Sequence, residues 1–194
     1  LPSLDHYDII DDICYQWECM TGVKLAFDPI ITKIYQKDVN NYLFINEFGD
    51  VESKGAYVKS LNTLDNDLPI VNKALKEYMI NGTPVEDTIN KADKLIDFQK
   101  IIKLTGKYDY MKLDGRTYTN KCFRVFASNR DSTPIYKCKL RNNDTQDKCD
   151  KVANTPQKCF MWNDDVTDVP VPEYLDREWY IQLAHERLRQ FGGK

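Results

Sequence analysis

The hydrophobic period changes several times along this chain, and those changes restrict the fold more than any other feature of the sequence. Residues 5–20 carry large apolar side chains at helical spacing, namely Ile9, Ile10, Ile13, Trp17 and Met20. The next stretches, 23–36 and 40–59, are alternating or rich in β-branched residues, with a turn at Gly49. This succession predicts an amphipathic helix that leads into a small antiparallel sheet.

Helical spacing returns after Leu68. One apolar face contains Ile70 or Val71, followed by Ala74, Leu75, Tyr78 and Met79. Asn81-Gly82 supplies a left-handed stop. Thr83-Pro84-Val85-Glu86 then has the sequence of a capping box, with Thr83 as N-cap and Pro84 at the first helical position. The sequence therefore predicts two helices joined by a tight corner, and after them a helix that gives way to strands near Phe98.

Residues 106–163 predict mainly β-structure. Leu113-Asp114-Gly115-Arg116 has the sequence of a hairpin turn. Apolar runs at 122–128, 134–140 and 158–163 are typical of strands, and the polar stretch 141–151 predicts a solvated loop. A final helix is predicted over 176–191, with an apolar side formed by Trp179, Tyr180, Leu183, Ala184, Leu188 and Phe191. The predicted fold class is α+β: an N-terminal helix, a small antiparallel sheet, a helical segment, a β-rich insertion and a C-terminal amphipathic helix.

The last helix contains an incomplete zinc motif. His185-Glu186 begins the pattern H-E-x-x-H, but the fifth position is Arg189, a cation that would repel a metal ion. We expect His185 to flank the apolar stripe, and Glu186, Arg187 and Arg189 to lie on or near the solvated face. The chain has no Gly-rich phosphate loop, nucleophile elbow or Ser-His-Asp set. The sequence therefore predicts no catalytic residue, no metal site and no cofactor.

Net charge, hydrophobicity and cysteine content restrict the classes of protein to which this chain can belong. The net charge of -3 argues against a protein that binds nucleic acid over its whole surface, although the segment 121–141 is locally basic. No apolar run is long enough to span a membrane, and no secretion signal is visible. We therefore expect no membrane partner, and we expect the six cysteines to be reduced thiols.

The order of several stretches resembles the C-terminal part of B-family DNA polymerases, especially virus-encoded ones. These stretches are VKLAFDPIITKIYQKDVNNYLFI, GDVESKGAYVK, DLPIVNKALKEYMINGTPVEDTI, NKCFRVFASN and LDREWYIQLAHERLRQFG. Lys37, Asn40, Asn41 and Tyr42 occupy the position where basic residues precede a tyrosine in that family, and Lys54-Gly55 occupies its Lys-Gly turn. The resemblance implies a palm-like unit over 1–66 and a thumb-like unit with a β-rich insertion over 67–194.

The resemblance also implies a function. The family's metal-binding aspartates lie in upstream motifs that this chain lacks, so the expected role is a non-catalytic grip on duplex DNA. The chain is then a C-terminal fragment or a separate subunit of a viral polymerase, acting in the cytoplasm of an infected cell. Its partners are duplex DNA and either the catalytic remainder of the polymerase or a host protein. Lys37, Tyr42 and Lys54 are the matched DNA contacts, and local charge density adds Lys121, Arg124 and Arg130.

A second interpretation belongs to a different class. The chain is then a free-standing, virus-encoded interaction protein with a thumb-like fold that binds and inhibits a host nucleic-acid enzyme. The acidic N-terminal segment and the net charge of -3 favour this partner-binding role.

Overall fold

A computed structural model of the 194-residue chain describes residues 7–25, 28–58, 67–141 and 146–192. The helices are α1 (Tyr7–Thr21), α2 (Pro69–Asn81), α3 (Val85–Lys91) and α4 (Arg177–Gln190), with a 3₁₀ turn at Leu95–Phe98. The strands are β1 (Ile31–Asp38), β2 (Asn41–Asn46), β3 (Val51–Lys54), β4 (Lys100–Lys103), β5 (Tyr110–Leu113), β6 (Arg116–Tyr118), β7 (Cys122–Ala127), β8 (Tyr136–Lys139), β9 (Lys148–Lys151) and β10 (Cys159–Met161). The predicted α+β class, with helices at both ends, is confirmed.

The strands form three small antiparallel sheets. Their strand orders are β1-β2-β3, β10-β7-β4 and β6-β5-β8-β9. The predicted hairpin between β5 and β6 is confirmed, because Asp114 and Gly115 both have positive φ (49° and 74°), as a tight two-residue turn requires. The predicted stop after α2 is confirmed as well, since Gly82 has φ 71° and caps the helix through its backbone N–H.

The main core joins the helices to the first two sheets. Side chains from α2, α3, α4 and the 3₁₀ turn bury one another together with Leu43 and Ile45 of β2 and with Phe126 of β7. A second cluster fills the space between the β10-β7-β4 sheet and the four-stranded sheet, around Met111 and Phe123. The predicted boundary between residues 66 and 67 lies at the edge of the described residues, and the division into two domains stays a prediction.

The predicted capping box at the start of α3 is wrong. Pro84 is the N-cap residue and no side chain caps the helix. The Glu86 carboxylate instead contacts His185 of α4, with 2.6 Å between Oε1 and Nε2. Hydrogen bonding to backbone N–H and then to His185 lowers the pKa of Glu86. A partner that lies 99 residues away in sequence has therefore replaced the local capping contact.

Two predictions about the β-rich region also need correction. Part of the predicted loop 141–151 is strand β9, which pairs with β8. This pairing places Cys138 directly opposite Cys149, and the two form a disulfide. The expectation that all six cysteines are reduced is therefore wrong for this pair, because the strand register brings their side chains together. Cys14, Cys19, Cys122 and Cys159 are free thiols.

The cysteines should differ sharply in their reactivity towards iodoacetamide at pH 8. We expect exposed Cys19 and Cys122 to be alkylated in the folded, non-reduced protein. Cys159 should be protected until the protein unfolds, because burial raises the pKa of its thiol to about 12. Peptide mapping by mass spectrometry before and after denaturation and reduction measures this order. Alkylation of Cys138 without reductant would contradict the pairing with Cys149.

Helix α1 forms where the sequence predicts it, but its apolar stripe is not covered. Among the described residues, thirteen large hydrophobic side chains are exposed, and all except Leu140 lie between Ile9 and Val51. Met20 is 76% exposed and Ile13 is 59% exposed. In the described part of the chain, no helix combines the length and apolar character needed to cross a bilayer.

Candidate nucleic-acid interface

The Lys-Gly turn lies at the end of β3, beside the turn that joins β1 to β2. The strand register places Lys54 directly opposite Tyr42. Gly55 has φ 103°, a conformation that favours glycine. A Cβ at Gly55 would lie 2.5 Å from the carbonyl oxygen of Asn40 and would also clash with the Asn41 side chain. Only glycine therefore lets the turn after Lys54 approach the β1–β2 turn this closely.

The segment after this turn is attached to the helices. Asn72 of α2 donates a hydrogen bond from Nδ2 to the carbonyl oxygen of Ala56 (2.9 Å). Arg187 of α4 donates from Nη1 to Oδ1 of the same asparagine (3.3 Å), and its guanidinium lies 4.3 Å from the centre of the Tyr57 ring. Asn72 and Arg187 are both buried. These contacts, which we call the Arg187 tether, hold the backbone immediately after Lys54 in place.

The burial of Arg187 corrects the sequence expectation that it lies on or near the solvated face of the last helix. Desolvation lowers the pKa of its guanidinium, which nevertheless stays charged because the ordinary value is so high. Cation–π contact with Tyr57 and the amide of Asn72 offset the loss of water. A sequence signal for this burial exists, because Arg187 follows Leu183 by four residues and precedes Phe191 by four, and it therefore falls on the apolar side of the helix.

The three residues expected from the resemblance to contact DNA, Lys37, Tyr42 and Lys54, have different surroundings. Lys54 and Lys37 are exposed, and Nζ of Lys37 lies 4.9 Å from the centre of the Tyr57 ring. Both lysines therefore border the tethered turn. The Tyr42 hydroxyl instead donates to Oε1 of Glu52 (2.7 Å), and this hydrogen bond raises the pKa of Tyr42. A phosphate at Tyr42 would have to displace Glu52, whereas neither lysine forms an ion pair within the described residues.

The cations predicted from charge density do not form one cluster. Arg124 donates from Nε to Oε1 of Gln99 (3.1 Å), whereas the Arg130 guanidinium stacks 3.6 Å from the centre of the Tyr174 ring. Lys121 is exposed just before β7. In the described part of the chain, no hydrogen bond or ion pair joins any of these three to Lys37, Tyr42 or Lys54. Lys37, Tyr42 and Lys54 belong to the β1-β2-β3 sheet, whereas Arg124 belongs to β7 of another sheet.

Charge is divided unevenly between the parts of the fold. Residues 100–158, which contain β4 to β9, carry fourteen lysines and arginines against six aspartates, a balance of +8. Since the whole chain has a net charge of -3, the remaining residues carry a balance of -11. The sequence interpretation identified only the segment 121–141 of this basic unit. Its other cations, including Lys112 and Lys151, are far apart in sequence and come together only when the strands pair.

The described residues contain no cluster of side chains that could bind a metal ion. Across 7–25, 28–58, 67–141 and 146–192, no group of three or more His, Cys, Asp or Glu side chains is arranged to hold an ion. His185 contacts Glu86, as described above, and no third such donor joins that pair. Comparison of the chain with models of known protein families, with curated proteins and with solved structures finds no match.

Proposed function

We propose that this chain holds duplex DNA through its phosphate backbone, as the lower palm and thumb of a viral B-family DNA polymerase. The observation that carries the proposal is the charge balance of +8 in residues 100–158 of a chain whose net charge is -3. Such segregation is typical of a surface that neutralises phosphates, since backbone contacts need cations and no base reading. A locally basic unit can bind phosphates even though the net charge of the whole chain is negative.

The Lys-Gly turn adds a second, more local support. A lysine that must meet a phosphate at a fixed position benefits from a rigid backbone, because less conformational freedom is lost on binding. The backbone after Lys54 is held by Asn72 and the buried Arg187 rather than by solvent-exposed contacts. Lys54 and Lys37 would then contact the backbone at one place, and the cations of residues 100–158 would contact it elsewhere.

The proposal predicts strong salt dependence and sensitivity to Lys54. We expect a fluorescein-labelled 20-base-pair duplex to bind with a log-log salt slope of roughly -3 to -5, as three to six phosphate contacts give. Lys54→Glu should weaken binding about tenfold at low salt, because it removes one cation and adds a repulsive charge. Lys73→Glu is the matched control, since Lys73 is also exposed but lies on α2. Absence of duplex binding at micromolar protein and low salt would refute the proposal.

A second candidate function is supported by a separate observation, the exposed stripe of α1. The helix carries Asp8, Asp11, Asp12 and Glu18 and no lysine or arginine. A second copy of the chain would bring two acidic helices together, and an anionic membrane would repel them. The stripe therefore fits a partner protein with an apolar centre and a basic rim, either the catalytic remainder of a polymerase or a host nucleic-acid enzyme that the chain inhibits.

Two synthetic helical peptides test this second candidate. One contains leucine and lysine in an amphipathic pattern, and the other has glutamate in place of lysine. We expect the lysine peptide to bind the full chain, and Ile13→Asp to abolish that binding by placing a charge in the stripe. Equal binding of both peptides, binding that survives Ile13→Asp, or self-association measured by sedimentation would count against a basic-rimmed partner.

A further inference from the structure

The outer face of the four-stranded sheet presents a tyrosine between two lysines. The strand register places Lys112 of β5 opposite Tyr136 of β8, and Tyr136 opposite Lys151 of β9. Thr117 of β6 extends the same row. Residues directly opposite in neighbouring strands project to the same side of a sheet. We call these four side chains the Tyr136 row.

The other face of this sheet is occupied by the second hydrophobic cluster. Met111 and Leu113 alternate with Lys112 along β5 and are buried there, together with Phe123 of β7. The Tyr136 row therefore faces away from the core. Lys112 and Lys151 are exposed and Tyr136 is half-buried. A concavity of about 370 Å³ lies on this side, lined by Lys112, Gly115, Thr133, Pro134, Tyr136 and Cys149.

We propose that the Tyr136 row is a binding site for single-stranded nucleic acid, with one base stacked on Tyr136 and the neighbouring phosphates held by Lys112 and Lys151. An aromatic ring on an open sheet face, flanked by cations, binds unpaired bases by stacking and their backbone by charge. Neighbouring strands are about 4.8 Å apart, so the two lysines project on opposite sides of the ring at about one strand spacing from it. Duplex DNA does not fit this arrangement, because its base faces are already stacked inside the helix.

Among the described residues, no carboxylate forms an ion pair with Lys112 or Lys151. Two aspartates near or in β9 instead accept hydrogen bonds from tyrosines: Asp147 accepts from the Tyr110 hydroxyl (2.6 Å) and Asp150 from the Tyr108 hydroxyl (3.0 Å). Asp114, beside Gly115, accepts hydrogen bonds from Ser132 and from the backbone of Thr133. The Cys138–Cys149 disulfide joins β8 to β9 and so fixes Tyr136 and Lys151 relative to each other. This site is separate from the Lys-Gly turn, but its two lysines belong to the basic residues 100–158 on which the proposed duplex grip rests, so Tyr136 is the residue that distinguishes the two proposals.

The test uses fluorescence anisotropy of the full chain with fluorescein-labelled oligo(dT) of twelve nucleotides. We expect Tyr136→Ala to weaken binding about tenfold, and Tyr136→Phe to bind like the wild type, because stacking needs the ring and not the hydroxyl. The double variant Lys112→Ala/Lys151→Ala should make the log-log salt slope of oligo(dT) binding shallower by about 1.4, because two phosphate contacts are lost and each contributes roughly 0.7 on a single strand. An abasic oligonucleotide of the same length should bind about tenfold more weakly than oligo(dT).

A matched double variant controls for total charge. Lys103→Ala with Lys148→Ala also removes two exposed lysines, one from β4 and one from β9, and Lys148 alternates to the opposite side from Lys151. Its oligo(dT) affinity should stay within twofold of wild type. Oligo(dU) and oligo(U) of twelve nucleotides, which differ only at the 2′ position, show whether the site distinguishes DNA from RNA. Tyr136→Ala should leave the affinity for the 20-base-pair duplex unchanged, because a duplex offers no unpaired base to stack on the ring, so failure of the duplex grip and failure of this site can be told apart.

Three results would overturn the inference. The first is that the wild-type chain, shown to be folded by circular dichroism, does not bind oligo(dT) at low salt. The second is equal affinity for the abasic oligonucleotide, which would mean that charge alone is responsible. The third is an equal loss of binding in the Lys103/Lys148 control and in the Lys112/Lys151 variant. If Tyr136→Ala unfolds the chain, Tyr136→Leu is used in its place, because leucine keeps an apolar side chain without an aromatic ring. The same loss of oligo(dT) affinity is expected.

Discussion

Replacement of Tyr180 by phenylalanine is expected to destabilise the fold by about 3 kcal/mol, although it removes only one oxygen atom. The Tyr180 hydroxyl is completely buried, donates to the carbonyl oxygen of Phe98 (2.8 Å) and accepts from the backbone N–H of Ala127 (3.1 Å). Burial raises the pKa of this hydroxyl far above its ordinary value, so it stays neutral and keeps both roles. Phenylalanine would leave a buried donor and a buried acceptor without partners, at about 1–3 kcal/mol each.

The same bond network explains why the effect should be global. Tyr180 belongs to α4, Phe98 ends the 3₁₀ turn, and Ala127 ends β7, so one hydroxyl joins the helices to the β-rich region. Urea denaturation followed by circular dichroism should show a lower midpoint with an unchanged m-value. Tyr78→Phe is the matched control, because the Tyr78 hydroxyl makes no hydrogen bond within the described residues. A shift for Tyr180→Phe no larger than that for Tyr78→Phe would contradict the bridging role.

The parts of the fold that follow from the sequence are those fixed by local chemistry. The Asp114-Gly115 hairpin, the Gly82 stop and the period of α4 all depend on residues within a few positions of one another. Predictions failed where a distant partner competed with a local one. Glu86 is a good capping residue by position, yet it contacts His185, and Cys149 lies in a polar stretch, yet strand pairing places it beside Cys138.

The candidate site was predictable to a similar, limited extent. The Lys54-Gly55 turn is recognisable from its residues, because a glycine after a strand often marks a backbone conformation that other residues avoid. The Arg187 tether is not recognisable from the sequence, since Arg187 of α4 lies more than a hundred positions from Asn72 of α2 and from Tyr57 after β3. The Tyr136 row needs the register of three strands, and a shift of one residue in any pairing would move a lysine to the other face.

Replacement of Gly55 by alanine should be the most damaging small change near the proposed duplex contact. Alanine at φ 103° is strained, and its Cβ would meet the Asn40 carbonyl oxygen at 2.5 Å. We expect a loss of about 2–4 kcal/mol of stability or a local shift of the turn that relieves the clash. Duplex affinity should fall about tenfold in the folded variant, because a shifted turn moves Lys54 away from the position that the Arg187 tether maintains.

Gly49→Ala separates the effect of the clash from that of the positive φ. Gly49 has φ 85°, but a Cβ there would meet nothing within 4 Å. Its replacement should therefore destabilise by only about 1 kcal/mol and leave duplex affinity unchanged. Asn41→Ala combined with Gly55→Ala should not restore binding, because the Asn40 carbonyl is backbone and stays in place. If Gly55→Ala lowers the urea midpoint while duplex affinity and its salt slope match the wild type, then the turn contributes to the fold only, and the phosphate contacts lie wholly within residues 100–158.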